Sequence, residues 1–191
     1  LPDALADGDQ VVGVIRAVGL SSDGKSPAIN VPQAQGQALA IRQAYEKSGV
    51  DVNTIQYVEA HATATIVGDA VEFKALKQTM AERDPASPPV ELGSVKALVG
   101  HTGWAAGMAS VIKICKAFEA GVVPRQYNFE APSPEIDLAG SPFQIPKTSH
   151  PWPLNVAPYP RRAAINGFGF GGTNAHLILE EFDEEYHRNL C

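Results

Sequence analysis

At 191 residues, with 45% hydrophobic and 19% charged side chains, the chain suits one buried core and is not a disordered segment. The net charge of −6 and the absence of a basic run argue against a nucleic-acid partner, and no apolar run nears the ~20 residues that span a bilayer. Cys115 inside a helical pattern and Cys191 at the end form no disulfide framework, so a reduced, cytoplasmic location is expected. Leu1 in place of methionine, with no basic-then-apolar leader after it, suggests a piece of a longer chain.

In chain order, Val11 to Val18 is apolar and β-branched and predicts a buried strand. Turn chemistry follows from Ser21 to Pro27. A helix is expected from about Pro32 to Ser48, with Ala38, Ile41 and Tyr45 on one face and Gly49 as its stop. Ile55 to Ala60 reads as a second strand, ending at His61. Asp69 reads as an N-cap with Glu72 completing a capping box, and the helix carries Phe73, Leu76 and Met80 on one face. Glu91 to Val95 predicts a third strand.

After that strand the chain enters a helix of very small residues, Ala105, Ala106, Gly107, Ala109 and Ser110, running to Ala120. Such residues sacrifice helix propensity and allow close backbone approach, which predicts a buried helix with His101 at the mouth of a site. Lys113, Lys116 and Glu119 mark its expected wet side, and Gly121 its end.

Pro124 to Pro160 holds nine of the 15 prolines and reads as a surface connection with one short strand near Phe143 to Ile145. Arg162 to Ile165 and Ala175 to Phe182 predict a hairpin joined by Gly167-Phe168-Gly169-Phe170-Gly171-Gly172. Residues 183–191 are expected to be a charged tail that frays or begins a linker, with 1–182 as the domain. The order β-α-β-α-β-α-connection-β-β implies an α/β fold with a mostly parallel sheet made mixed by the closing hairpin.

His61 directly follows one strand, and Lys96 and His101 follow the next. Ligands in open α/β sheets sit beyond the carboxyl ends of strands, so parallel neighbours would gather these three at one edge. Thr63 and Thr65 alternate, and in an extended segment their hydroxyls would point one way, toward a polar amide-bearing arm or toward loop backbone. Glu72 serves either as the capping-box residue or as a carboxylate holding Lys96. The glycine run can turn backbone N–H groups onto a charged oxygen. It also contains Gly167-x-Gly169-x-x-Gly172, but a dinucleotide-binding GxGxxG should open onto a helix, and here it opens onto a strand. His61, His101 and Asp69 offer metal ligands in principle, but no His-x-His, HExxH or paired-cysteine spacing supports a metal, and none is expected.

Three motifs then resemble the β-ketoacyl synthase (ketosynthase) family of fatty acid and polyketide synthases. They are Val58-Glu59-Ala60-His61-Ala62-Thr63-Ala64-Thr65 with Gly68-Asp69 and Glu72; Gly93-Ser94-Val95-Lys96 with Gly100-His101 and Ala105-Ala106-Gly107; and Phe168-Gly169-Phe170-Gly171-Gly172-Thr173-Asn174-Ala175-His176. The wording is closer to multidomain polyketide or polyunsaturated-fatty-acid synthases than to stand-alone enzymes. The resemblance implies a thiolase-like fold made of two β-α-β-α-β-α-β-β halves, of which this chain is the C-terminal one. The nucleophilic cysteine of that family sits in the other half, and neither Cys115 nor Cys191 can take its role.

The implied reaction is decarboxylative Claisen condensation of malonyl units onto an acyl thioester. By the resemblance, His61 and His101 donate N–H groups to the enolate oxygen and Lys96 orients His61 and Glu72. Thr63 and Thr65 bind the phosphopantetheine arm of an acyl carrier protein, which is a substrate carrier and not a bound cofactor. The Phe170 amide joins an oxyanion hole while its ring gates the cysteine, and Glu72 and Asn174 support. Implied partners are the N-terminal half, the carrier protein and a second copy in a homodimer. The alternative is a non-condensing scaffold of chain-length-factor type that only binds carrier protein. Two departures stand out: Ala62 and Ala64 occupy positions usually held by glycine, and Gly103-Trp104 replaces an acidic-small pair.

Overall fold

The computed structural model describes residues 1–153 and 159–188. A short helix α1 (Pro2–Asp7) leads to strand β1 (Gly13–Ser22), which extends four residues beyond its expected end at Val18. Helix α2 (Ala34–Ser48) ends at Gly49, whose φ of 62° is the left-handed stop expected there. Strand β2 (Tyr57–Glu59) and helix α3 (Ile66–Thr79) follow, then strand β3 (Val90–Gly93). The loop after β3 coils into a one-turn helix, α4 (Lys96–Val99), and a 3₁₀ turn, Gly103–Ala105, before helix α5 (Ala106–Ala120).

Beyond α5 the proline-rich connection is irregular, as expected. It carries three two-residue strands: β4 (Val122–Val123), β5 (Phe143–Gln144) and β6 (His150–Pro151). The closing hairpin is β7 (Arg162–Phe168) and β8 (Thr173–Glu181). Cys191 and residues 154–158 of the connection lie outside the described residues.

The main sheet runs β1-β8-β7-β2-β3-β5. The pairs β7–β2, β2–β3 and β3–β5 are parallel, while β1–β8 and β8–β7 are antiparallel, so the sheet is mixed in the way the hairpin predicted. Strand alternation splits the core between two faces. Val58, Ala164 and Ile178 pack with Ile41 of α2 and Phe73 and Leu76 of α3. Their neighbours Tyr57, Ala163, Ile165 and Leu179 pack on the other face with Ile114 and Phe118 of α5 and with Trp152. The closeness of α2 explains a glycine in β1: a Cβ on Gly19 would sit 1.9 Å from the Ala40 carbonyl oxygen.

Five expectations change. Strand β1, expected to be buried, is an edge strand of the sheet, with Ile15 and Leu20 each 57% exposed. Asp69 is not the N-cap of α3. Thr65 is, its hydroxyl accepting from Gly68 N at 3.2 Å, and Asp69 lies inside the first turn. The start of α5 is buried on one side only: Ala106 and Ser110 are covered, but Gly107 has nothing within 4 Å of an added Cβ, and Met108 and Ile112 are 61% and 54% exposed. Lys113 turns inward, away from the wet side, because the buried carboxylate of Glu59 lies 2.6 Å from its ammonium. Finally, the segment after Asp183 does not fray through residue 188. Helix α6 (Glu184–Arg188) docks there, with His187 buried and 3.0 Å from Glu180. Glu180, fully buried, also receives Arg16 and Arg162, so three positive-capable groups converge on one carboxylate and tie α6 to β1 and β7.

Candidate active site

Parallel pairing aligns Glu59 with Gly93 on one side and Ile165 on the other, so the carboxyl ends of β2, β3 and β7 share one edge. His61 leaves that edge from β2, and Lys96 and His101 leave it from β3. The His61 and His101 rings meet edge to face, centroids 5.5 Å apart. Phe168, the last residue of β7, packs on His61 at 6.0 Å.

Two buried carboxylates hold the two histidine loops. Glu72, on the inner face of α3, accepts from the backbone N–H of His61 (2.7 Å) and Ala62 (2.8 Å). Its Oε1 also accepts from Asn166 Nδ2 at 2.8 Å. Asp69 accepts from Ala64 N at 3.2 Å. This clamp keeps two alanines in the left-handed region, Ala62 at φ 34° and Ala64 at φ 62°. The segment is therefore coiled, not extended. Thr63 and Thr65 still bring their hydroxyls together, 3.2 Å apart, because the two reversed residues, not alternation, fold one side chain over the other.

Glu59 does the same for the second loop. One oxygen accepts from Val95 N at 2.5 Å, where α4 begins, and the other binds Lys113 at 2.6 Å, which also donates to Tyr57 Oη at 2.7 Å. A carboxylate this deep is tolerable only when every lone pair is answered, and here the answers come from a strand, a helix and a loop.

The electrostatics favour a neutral His61. Burial, then the charge of Lys96, then His101 pull the His61 pKa down to about 4. Gly103 N–H donates to His101 Nδ1 at 3.1 Å, which makes that nitrogen an acceptor and leaves the ring proton on Nε2. Burial lowers the Lys96 pKa while the charges of Glu72 and Glu59 pull it back up. Lys96 thus acts on Glu72 by charge; no hydrogen bond joins them among the described residues.

The other sequence candidates lie apart from the ring pair. Phe170 sits at the hairpin tip, 88% exposed. Asn174 is buried and staples the glycine turn to the loop after β1, donating to Asp23 Oδ1 at 2.7 Å and to the Gly172 carbonyl. Gly172, at φ 78°, admits no side chain there, since a Cβ would stand 2.7 Å from that of Asp23. Glu59, Lys113, Asn166, Phe168 and His176 were not singled out as site residues. A lone glutamate in the apolar run Tyr57-Val58-Glu59-Ala60 was the available signal, because a charge on a buried strand demands a partner.

Residues 12–130 match the family "Beta-ketoacyl synthase, C-terminal domain", which covers more than half of the chain. The chain belongs to the β-ketoacyl synthase family. Residues 132–189 match the ketoacyl-synthetase C-terminal extension, which takes in the connection, the hairpin and α6. Among curated relatives, a highly reducing polyketide synthase of Aspergillus aculeatus is 42% identical over 98% of this chain and 8% of its own length. The compactin diketide synthase of Penicillium citrinum is 42% identical over 96% of this chain and 7% of its own length. The chain thus spans less than a tenth of these multidomain relatives. Among solved structures, the ketosynthase from module 6 of the bacillaene synthase of Bacillus subtilis superposes with a TM-score of 0.91 at 36% identity. That match covers 97% of this chain and 34% of the other, so the thiolase-like ketosynthase fold expected from the three motifs is present.

Proposed function

We propose that this chain supplies the enolate-stabilising half of a β-ketoacyl-[acyl carrier protein] synthase, an acyltransferase performing decarboxylative Claisen condensation in polyketide assembly. The observation that carries the reading is the pair of facing imidazoles, His61 and His101, at the carboxyl edge of parallel strands. When a malonyl thioester loses CO₂, the electron pair of the broken C–C bond becomes an enolate, and negative charge grows on the thioester oxygen. Two neutral imidazoles each donate an N–H to that oxygen, without a metal and without reorganisation. The enolate carbon then attacks an acyl thioester held by a cysteine of the N-terminal half, and the thiolate leaves. Burial, reinforced by the charge of Lys96, keeps His61 neutral, and Lys96 faces Glu72 and Glu59 through space.

Thr63 and Thr65 offer adjacent hydroxyls to the amides of a phosphopantetheine arm on an acyl carrier protein. Phe170, exposed at the hairpin tip, gates the other half's cysteine in this reading and lends its amide to an oxyanion hole, and Asn174 keeps that turn in place. The N-terminal half covers the apolar surface that Leu98, Trp104, Met108, Ile112 and Phe170 expose here. A homodimer and a cytoplasmic location complete the reading; no helix among the described residues is long and apolar enough to cross a membrane. A non-condensing scaffold has no use for two facing histidines and a lysine. The test is CO₂ release from malonyl carrier protein by the full-length protein. His61→Ala or His101→Ala should each lower it by ~10²–10³; wild-type rates in both variants would sink the reading.

A further inference from the structure

The Glu72 clamp continues inward. Asn166 on β7 donates through Nδ2 to Glu72 Oε1, which fixes the orientation of its amide and turns Oδ1 the other way. That oxygen lies 2.6 Å from Nδ1 of His176 on β8. An amide oxygen only accepts, so Nδ1 carries the ring proton and Nε2 is a bare acceptor. Nε2 is buried and has no hydrogen-bond partner among the described residues, and the ring is 0% exposed. Its neighbour Tyr45 packs 5.7 Å away with a hydroxyl that is also buried and unpartnered. A residue kept only for packing would not bring an unanswered acceptor into the core. What the imidazole does make is one short bond, and that bond leads through two side chains to the loop carrying His61.

We propose that His176 is a positioning residue for the His61 loop. Its Nδ1–H orients Asn166, Asn166 orients Glu72, and Glu72 holds the His61 and Ala62 amides in the reversed backbone that aims the His61 ring at His101. A neutral ring suits this role, since a charged one would place a second proton on the unanswered Nε2. Burial drives the His176 pKa down to about 3, which keeps it neutral at physiological pH. The inference rests on the condensing reading above.

The test uses the full-length protein and two readouts. In CO₂ release from malonyl carrier protein, His176→Leu should lower kcat roughly 10- to 100-fold with KM unchanged, because the loop is misaimed and the thioester still binds. His176→Asn, whose Nδ2–H can replace the lost donor, should stay within about threefold of wild type. The second readout is the ¹⁵N shift of the His176 ring, assigned by its absence in His176→Asn: an Nδ1–H tautomer at neutral pH is expected. Wild-type kcat in His176→Leu, equal losses in both variants, or an Nε2–H tautomer overturns the relay. His101→Ala separates the two claims, since it lies outside the relay. Loss of activity there beside an intact His176→Leu overturns the relay alone. Intact activity in both overturns the condensing reading and the relay with it. The tautomer also decides if His176→Leu does not fold.

Discussion

Replacing Ala64 by glycine should stabilise the intact ketosynthase domain, although most alanine-to-glycine changes do the opposite. Ala64 sits at φ 62° and Ala62 at φ 34°. A non-glycine residue in that region costs about 1–2 kcal/mol. Glycine removes that cost and adds about 0.4–1 kcal/mol of unfolded-state entropy, a net gain of about 0.5–1 kcal/mol. The two sites differ in what the methyl touches. Ala64 is exposed, so its methyl forfeits little. Ala62 packs against the core that Val58 and Phe73 share, and its methyl carries about 0.8 kcal/mol of burial that cancels the relief. Ala64→Gly should therefore raise the thermal midpoint by about 1–3 °C while Ala62→Gly leaves it nearly unchanged. Ala109→Gly, inside α5, should lower it by a comparable amount. Differential scanning calorimetry of the three variants decides the matter. An Ala64→Gly that loses stability as Ala109→Gly does would refute the claim that Glu72 and Asp69 hold this loop against its own backbone preference.

Two further outcomes follow from the buried charges. Glu59→Gln leaves the Lys113 ammonium, 12% exposed, without its counter-ion, and should cost about 3–5 kcal/mol, much of it recovered in the double variant with Lys113→Met; additive losses in a double-mutant cycle would refute the pairing. His176 binds its proton at about 3 when folded and near 6.5 when unfolded, so the unfolded chain holds more protons between those values and stability falls as pH drops below 6.5. At 1.36 kcal/mol per pH unit, wild type should lose up to roughly 4 kcal/mol relative to His176→Asn between pH 7 and pH 3, read as a widening gap between their unfolding midpoints. Parallel pH profiles would show that the ring is not buried neutral.

Helix stops were legible at Gly49 and Gly121, where a left-handed residue is required and glycine supplies it. The N-cap of α3 was misplaced at Asp69 because Thr65, four residues earlier, has an equally good side chain for the role. Local chemistry offered two caps, and the position of the chain leaving β2 chose between them. Lys113 was misread for a related reason. A lysine on a helix defaults to water, and only the depth of Glu59 on the neighbouring strand reverses that. The small residues of α5 suggest burial, and Ala106 and Ser110 are buried, but the side of Gly107, Met108 and Ile112 is open within this chain.

By itself, the sequence determined the order of elements, the mixed sheet and the meeting of His61 with His101. Those depend on period, turn chemistry and the rule that parallel strands end together, all local or topological properties. Tertiary structure alone decided what holds the two rings in place. The hydrogen bonds through Glu59, Glu72, Asn166 and His176 join residues 36, 11, 94 and 10 positions away from their partners. A buried polar group takes whichever partner packing brings within 3 Å, and no pattern along the chain records that choice.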